Sequence, residues 1–280
     1  MNIQLAIKQG GEILKKNFFL NPYLDSEILM AKVINKDKKY LLLNGKNKIE
    51  EKKLNLFKKL IDERSKGKPV SHLTNKKLFW NSEFFVTEDT LIPRPDTELI
   101  VENILNLTKN KSKLSILDIG VGSGCILLSI LRERKDFYGT GIDISKNCLK
   151  IANMNAINLK VHSKVKFYKS NVDKFSLGKY DLIVSNPPYI KKHVLKYLDK
   201  EVSKFEPKIA LNGGLDGLSE IRKVIKKSSE LIKKNGKFIL EIGFDQKNKV
   251  IKLLNKEGFY INSALKDLAY NDRCIICTKI

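Results

Sequence analysis

Asn186-Pro187-Pro188-Tyr189 follows directly on an apolar run, Tyr180-Asp181-Leu182-Ile183-Val184-Ser185, that reads as a buried strand. Proline has no N–H and holds its backbone extended, so the carbonyls at this corner are not consumed by a sheet ladder. In open α/β sheets, ligand crevices lie outside the carboxyl ends of the strands. The Asn186 side-chain oxygen and the Pro187 carbonyl are two acceptors able to take both hydrogens of one NH2 group, with the Tyr189 ring packed on the planar group. An amide or exocyclic amine has its lone pair delocalised into a π system and must be held until that lone pair faces an incoming carbon. Holding reactants in attack geometry removes roughly 7 to 11 kcal/mol of barrier, with no metal or strong base required. The corner therefore suits methyl transfer to a planar nitrogen, with Asn186, Pro187, Pro188 and Tyr189 as the candidate catalytic residues. Taken alone, the same four residues also fit an ordinary turn after a strand.

A second cluster sits earlier in the chain. Ile116-Leu117-Asp118-Ile119-Gly120-Val121-Gly122-Ser123-Gly124 reads as a strand, a glycine-rich turn and the start of a helix. Glycines there let a ligand approach the backbone closely. The spacing is G-x-G-x-G and not the G-x-G-x-x-G of dinucleotide sites, and Asp118 at the strand end suits a ligand carrying an amino group or a sulfonium. About 20 residues on, Asp143 ends the next strand, where an acidic residue accepts ribose hydroxyls. The ligand implied by loop, ribose acid and amide-holding corner together is S-adenosylmethionine, its adenosine at Asp143 and its methyl directed at Asn186. Cys274-x-x-Cys277 has redox or zinc spacing, but a lone pair cannot close a four-ligand site and no histidine pair completes one. It reads better as a final strand, and no metal site is expected.

These residues need a sheet to hold them. Residues 1 to about 70 show helical periodicity, with Ile3, Ala6, Ile7, Leu14, then Leu24, Ile28, Leu29, then Leu54, Phe57, Leu60 and Ile61 on apolar faces. From His72 to Ile92 the β-branched and aromatic content predicts a hairpin, with turns at Thr74-Asn75-Lys76 and Trp80-Asn81-Ser82. From Pro93 onward, strands and helices alternate. A helical stripe from Leu218 to Ile232 is expected to stop at Asn235-Gly236. The expected architecture is α/β: an N-terminal helical domain over 1–71, a connecting hairpin over 72–92, and a seven-stranded doubly wound sheet over 93–280.

The 280 residues carry a formal charge of +22, but only six of the 53 basic residues are arginine, the preferred residue for bidentate phosphate contacts. The lysines are spread along the whole chain, so no stable nucleic-acid partner is expected, although the charge could help the protein meet an RNA-rich assembly. No stretch of eighteen apolar residues exists to cross a membrane. The N-terminus lacks the pattern of a signal or transit peptide, which gives a cytoplasmic expectation.

The chain resembles the HemK/PrmC-type protein-glutamine methyltransferases. The resemblance is carried by Leu91-Ile92-Pro93-Arg94-Pro95-Asp96-Thr97-Glu98, by Asp118 to Gly124, by Asp143-Ile144-Ser145, by Val184 to Ile190, by Glu206-Pro207, by Gly213 to Leu218 and by Leu240-Glu241-Ile242-Gly243. It implies a Rossmann-like class I methyltransferase sheet and methylation of the glutamine in the Gly-Gly-Gln loop of class I peptide chain release factors, with transient proximity to the ribosome. It also implies that Asp118, Gly120, Val121, Gly122, Ser123, Gly124, Asp143, Asn171 and Val172, together with Asn186, meet the cofactor. The lysine-rich outer face of residues 1–71 gives substrate docking as their expected role, the alternative being a cap that only stabilises the sheet. The chain departs from the family where Asn75 and Asn81 stand in place of hairpin glycines; Asn is the residue that best tolerates positive φ in their stead. Three other readings stay open: a ribosomal-protein glutamine as acceptor, an adenine in nucleic acid, and a noncatalytic basic binding module.

Overall fold

The computed structural model describes all 280 residues, which fall into two units, Met1–Lys76 with Asp199–Phe205, and Lys77–Leu198 with Glu206–Ile280. In the first unit, α1 (Ile3–Lys16) is capped by Asn2, whose side chain accepts from the Leu5 N–H at 2.8 Å. Next come α2 (Pro22–Ile34), which starts on a proline, α3 (Lys38–Leu43), α4 (Glu51–Ser65) and α5 (Val70–Thr74). Their apolar faces meet in a core that includes Leu14, Leu29, Met30, Phe57 and Ile61. Gly10 allows the close crossing, since a Cβ there would lie 2.5 Å from Ser26 Oγ. Buried Arg64 bonds Asp25 at 2.7 Å and Glu201 at 2.8 Å, which ties the segment 199–205 into this unit.

The hairpin is shorter than its composition suggests. Residues 72–74 are not extended, as that composition implies; they complete α5, which ends on Asn75 in the left-handed region (φ 58°). Strands β1 (Lys76–Phe79) and β2 (Ser82–Phe85) follow, and the positive φ of their turn falls on Trp80 (52°), not on Asn81. Nor does the hairpin stand apart as a connector. Phe79 and Phe84 pack edge to face at 6.0 Å and are buried in the core of the second unit. Burial of each ring contributes about 1.5–3 kcal/mol, and that is what draws residues 77–92 into this unit.

The remainder of the second unit is α6 (Glu98–Leu107), β3 (Ser115–Ile119), α7 (Cys125–Glu133), β4 (Tyr138–Asp143), α8 (Lys146–Asn158), β5 (Val165–Lys169) and β6 (Tyr180–Ser185). After α9 (Lys200–Phe205), which belongs to the first unit, come α10 (Ser219–Leu231), β7 (Ile232–Glu241), α11 (Lys247–Lys256), β8 (Phe259–Lys266) and β9 (Asp272–Lys279). β3 to β9 form one seven-stranded sheet of order β5-β4-β3-β6-β7-β9-β8, parallel except for β9, which runs antiparallel to both β7 and β8. Both faces are covered: Ile116, Val184 and Ile239 belong to one core, Leu117, Ile183 and Phe238 to the other. That double burial is why the parallel strands read as continuous apolar runs.

Asn235-Gly236 does not end a helix. α10 stops at Leu231, and Asn235 (φ 61°) shapes a bulge inside β7, where the register jumps from Tyr180 opposite Ile232 to Leu182 opposite Lys237. Cys274 and Cys277 lie in β9 as expected, and their odd spacing in a strand sends them to opposite faces, Cys274 into one core and Cys277 into the other. No helix is long and apolar enough to cross a membrane.

Candidate active site

Strand order reverses at β3, with β4 on one side and β6 on the other. A cleft of about 430 Å³ opens at the carboxyl ends of these strands. Its glycine loop is built from conformations that L side chains rarely adopt: Gly120, Gly122 and Gly124 have φ of 79°, 54° and 84°. The Gly120 and Val121 N–H groups both donate to the Ile142 carbonyl at 2.9 Å, which pins the loop to the end of β4. A Cβ on Gly120 would meet no atom within 4 Å, so the space above that residue belongs to the cleft. At Gly124 a Cβ would lie 2.7 Å from Leu128 Cδ1, and its absence lets α7 start tight against the loop.

Asp118 lies under this loop, 1% exposed, and neither carboxylate oxygen has a hydrogen bond of good geometry. Burial pushes its pKa up to about 7, the Asp143 charge adds to the rise, and only the Leu127 N–H opposes it. Asp143 is better provided for. Its Oδ2 accepts from the Gly122 N–H at 3.0 Å and its Oδ1 from the Ser145 N–H at 2.8 Å. Burial raises its pKa and those donors pull it back. A carboxylate has about four lone-pair sites, so these donors do not exhaust it. Asn171 caps the turn Val172–Lys174 by accepting from the Asp173 N–H at 3.1 Å.

At the end of β6, Ser185 Oγ donates to the Ile119 carbonyl at 2.7 Å and couples this strand end to that of β3. Asn186, on the cleft wall, donates from Nδ2 to Thr97 Oγ1 at 3.2 Å, which turns the NH2 end of the amide toward Thr97 and its Oδ1 away from it. No protein N–H donates to the Pro187 carbonyl. The loop beyond is clamped: the Gln246 side chain donates to both the Tyr189 and Gly217 carbonyls at 3.0 Å and accepts from the Gly243 N–H at 2.9 Å.

The cleft brings together Gly120, Val121, Gly122, Ser123, Asp143, Asn171, Val172, Asn186, Pro187 and Pro188 on its wall. Asp118, Gly124 and Tyr189 are not on that wall. The Tyr189 ring, expected to lie on the acceptor, is partly buried against the core, and its hydroxyl donates to Glu241 Oε1 at 3.3 Å. Thr97, Glu241 and Gln246 are site residues that no spacing pattern singles out, because their partners lie 89, 52 and 57 residues away. Thr97 and Glu241 do fall in the stretches that carry the family resemblance.

This sheet order, with a glycine loop after β3, an acid ending β4 and an Asn-Pro-Pro-Tyr corner after β6, defines a class I Rossmann-like methyltransferase. A solved methyltransferase from Pyrococcus furiosus shares the fold, with a TM-score of 0.52 over 75% of this chain and 91% of that one at 17% identity. Residues 95–202 match the family model "Methyltransferase small domain" and residues 6–74 match "PrmC N-terminal domain". The release factor glutamine methyltransferase of Clostridium acetobutylicum is 34% identical over 100% of this chain and 99% of its own length. That of Fusobacterium nucleatum is 38% identical over 96% of this chain and 76% of its own. The chain belongs to the release factor glutamine methyltransferase family.

Proposed function

We propose that this chain methylates the side-chain amide nitrogen of the glutamine in the Gly-Gly-Gln motif of class I peptide chain release factors, with S-adenosyl-L-methionine as donor. The residues present fit that donor: a buried carboxylate without a good partner, Asp118, lies under a loop whose Gly120 leaves open the space a side chain would fill. When bound, the cofactor supplies an electrophilic methyl group. Asp143 would accept the ribose hydroxyls on its free lone pairs, and Asn171 and Val172, which line the cleft, would flank the adenine.

The observation that carries the reading is the polarity of Asn186. With its NH2 engaged by Thr97, the corner presents two acceptors, Asn186 Oδ1 and the Pro187 carbonyl, to one NH2 group. As the acceptor nitrogen gains positive character its hydrogens become stronger donors, so both contacts tighten in the transition state. The surplus proton leaves to water. Tyr189 is tied to Glu241 through its hydroxyl and so braces the corner.

The first unit is the docking site for the release factor, supported by large apolar side chains left in solvent: Phe18 is 94% exposed and Leu20 96%. The dispersed lysine charge supports reaction in the cytoplasm, with transient proximity to the ribosome and no stable nucleic-acid partner. Labelled cofactor offered in parallel to release factor, ribosomes and DNA tests the reading. Label on the side-chain nitrogen of the release-factor glutamine is expected, and label on a ribosomal protein or an adenine instead would overturn it.

A further inference from the structure

One buried carboxylate stands behind both flanks of the prolines. Glu241, at the end of β7 and 2% exposed, accepts from Thr97 Oγ1 on Oε2 at 2.7 Å and from the Tyr189 hydroxyl on Oε1 at 3.3 Å. Its charged neighbours are Arg273 on β9 and Asp96 before α6, which lie 3.4 Å from each other, and Arg273 is also bonded to Asp267 at 2.8 Å.

The chemistry of these groups dictates a direction. An ionised carboxylate only accepts hydrogen bonds, whereas a threonine hydroxyl has a single proton. If that proton pointed at Asn186, Glu241 Oε2 would be left buried without its donor, at substantial cost. The proton therefore goes to Glu241, the Thr97 oxygen offers Asn186 only lone pairs, and Asn186 must turn its NH2 toward Thr97. Nothing in the shape of a side-chain amide distinguishes its two ends, so this chain of polarity is what sets them.

We propose that Glu241 is a positioning residue that, through the Thr97 hydroxyl, holds Asn186 with its oxygen toward the substrate and so makes the site select an NH2-bearing glutamine over a glutamate of the same shape. This rests on the proposed function. A flipped Asn186 would present donors to the substrate, which suit a carboxylate and repel an amide NH2.

The test compares Thr97→Val, Thr97→Ser and Glu241→Gln in the full chain. Three quantities are measured: kcat on release factor at saturating cofactor, cofactor Kd by calorimetry, and inhibition by a release factor carrying glutamate at the methylated position. Thr97→Val should lower kcat by about tenfold or more, leave cofactor affinity as in wild type, and strengthen inhibition by the glutamate form relative to binding of the glutamine form. Thr97→Ser, which keeps the hydroxyl, should restore turnover and discrimination. Glu241→Gln can donate to Thr97 and free its proton for Asn186, so it should shift discrimination the same way; it serves if Thr97→Val fails to fold. Wild-type turnover and discrimination in Thr97→Val would overturn the inference, as would a parallel loss of cofactor affinity, which marks a merely structural role. Failure of the wild-type protein to methylate release factor would instead overturn the functional reading beneath it.

Discussion

Two strand ends, those of β3 and β7, each bury a carboxylate whose pKa is pushed up to about 7, yet the two are furnished in opposite ways. Asp118 has no good partner within the protein, and the loop above it is kept bare by Gly120. Glu241 has a donor on each oxygen and Arg273 nearby. The difference separates two kinds of preorganisation. At β3 the protein leaves a buried carboxylate unmatched beneath the loop, which on the proposed reading the positive groups of the cofactor would answer from across the cleft floor. At β7 it matches the carboxylate internally and uses the result to aim other side chains. Ligand affinity should depend on the first, and the rate of transfer on the second.

The largest break expected at the β3 end is Gly120→Val. Its φ of 79° strains any L residue, and the new side chain enters the cleft. Cofactor affinity by calorimetry should fall by about a hundredfold or more, equivalent to roughly 2.8 kcal/mol, whereas the same strand end would be judged irrelevant if affinity were kept.

Asp118→Asn sharpens the contrast, because it removes a charge that costs the cofactor-free protein stability. A carboxyl group with a raised folded pKa stabilises the fold below its unfolded value near 3.8 and loses that contribution as pH rises through about 7. Thermal melts of the cofactor-free variant at pH 8 should therefore lie above wild type, while its cofactor affinity drops about tenfold. A lower melting temperature would mean that Asp118 is satisfied in the fold after all.

The β7 end should reveal itself in the pH profile of kcat at saturating cofactor. As pH falls through about 7, Glu241 takes up a proton and can donate to Thr97, which releases the polarity of Asn186, so turnover should decline several-fold. Glu241→Gln should lack that step, and an unchanged profile in this variant would assign the step elsewhere. The smallest effect is expected far from both ends. Phe18→Ser combined with Leu20→Ser should raise KM for whole release factor by about threefold, roughly 0.65 kcal/mol, with cofactor affinity unchanged.

Much of the site is legible in the sequence because its parts are local. Tyr180–Ser185 is a strand with the bounds its apolar run suggests, and the loop from Gly120 to Gly124 lies between a strand and a helix as its glycines require. Sequence and structure part where one local signal serves two structures. Asn235-Gly236 resembles a helix stop but shapes a bulge, and residues 72–74 join a helix because Asn75 supplies the left-handed residue that ends one. The contacts of Tyr189 are not legible in the sequence for a different reason. Its ring faces the core because Glu241 offers its hydroxyl a buried acceptor, and no pattern in the chain connects residues 97, 189 and 241.

The most direct test of this division is the single-turnover rate of Asn186→Ala on whole release factor at saturating cofactor. With the Oδ1 acceptor gone and the β3 end intact, the rate should fall by about a hundredfold or more while the cofactor still binds with wild-type affinity. A wild-type rate, or a rate lost only in proportion to cofactor affinity, would contradict the assignment of transfer to this corner.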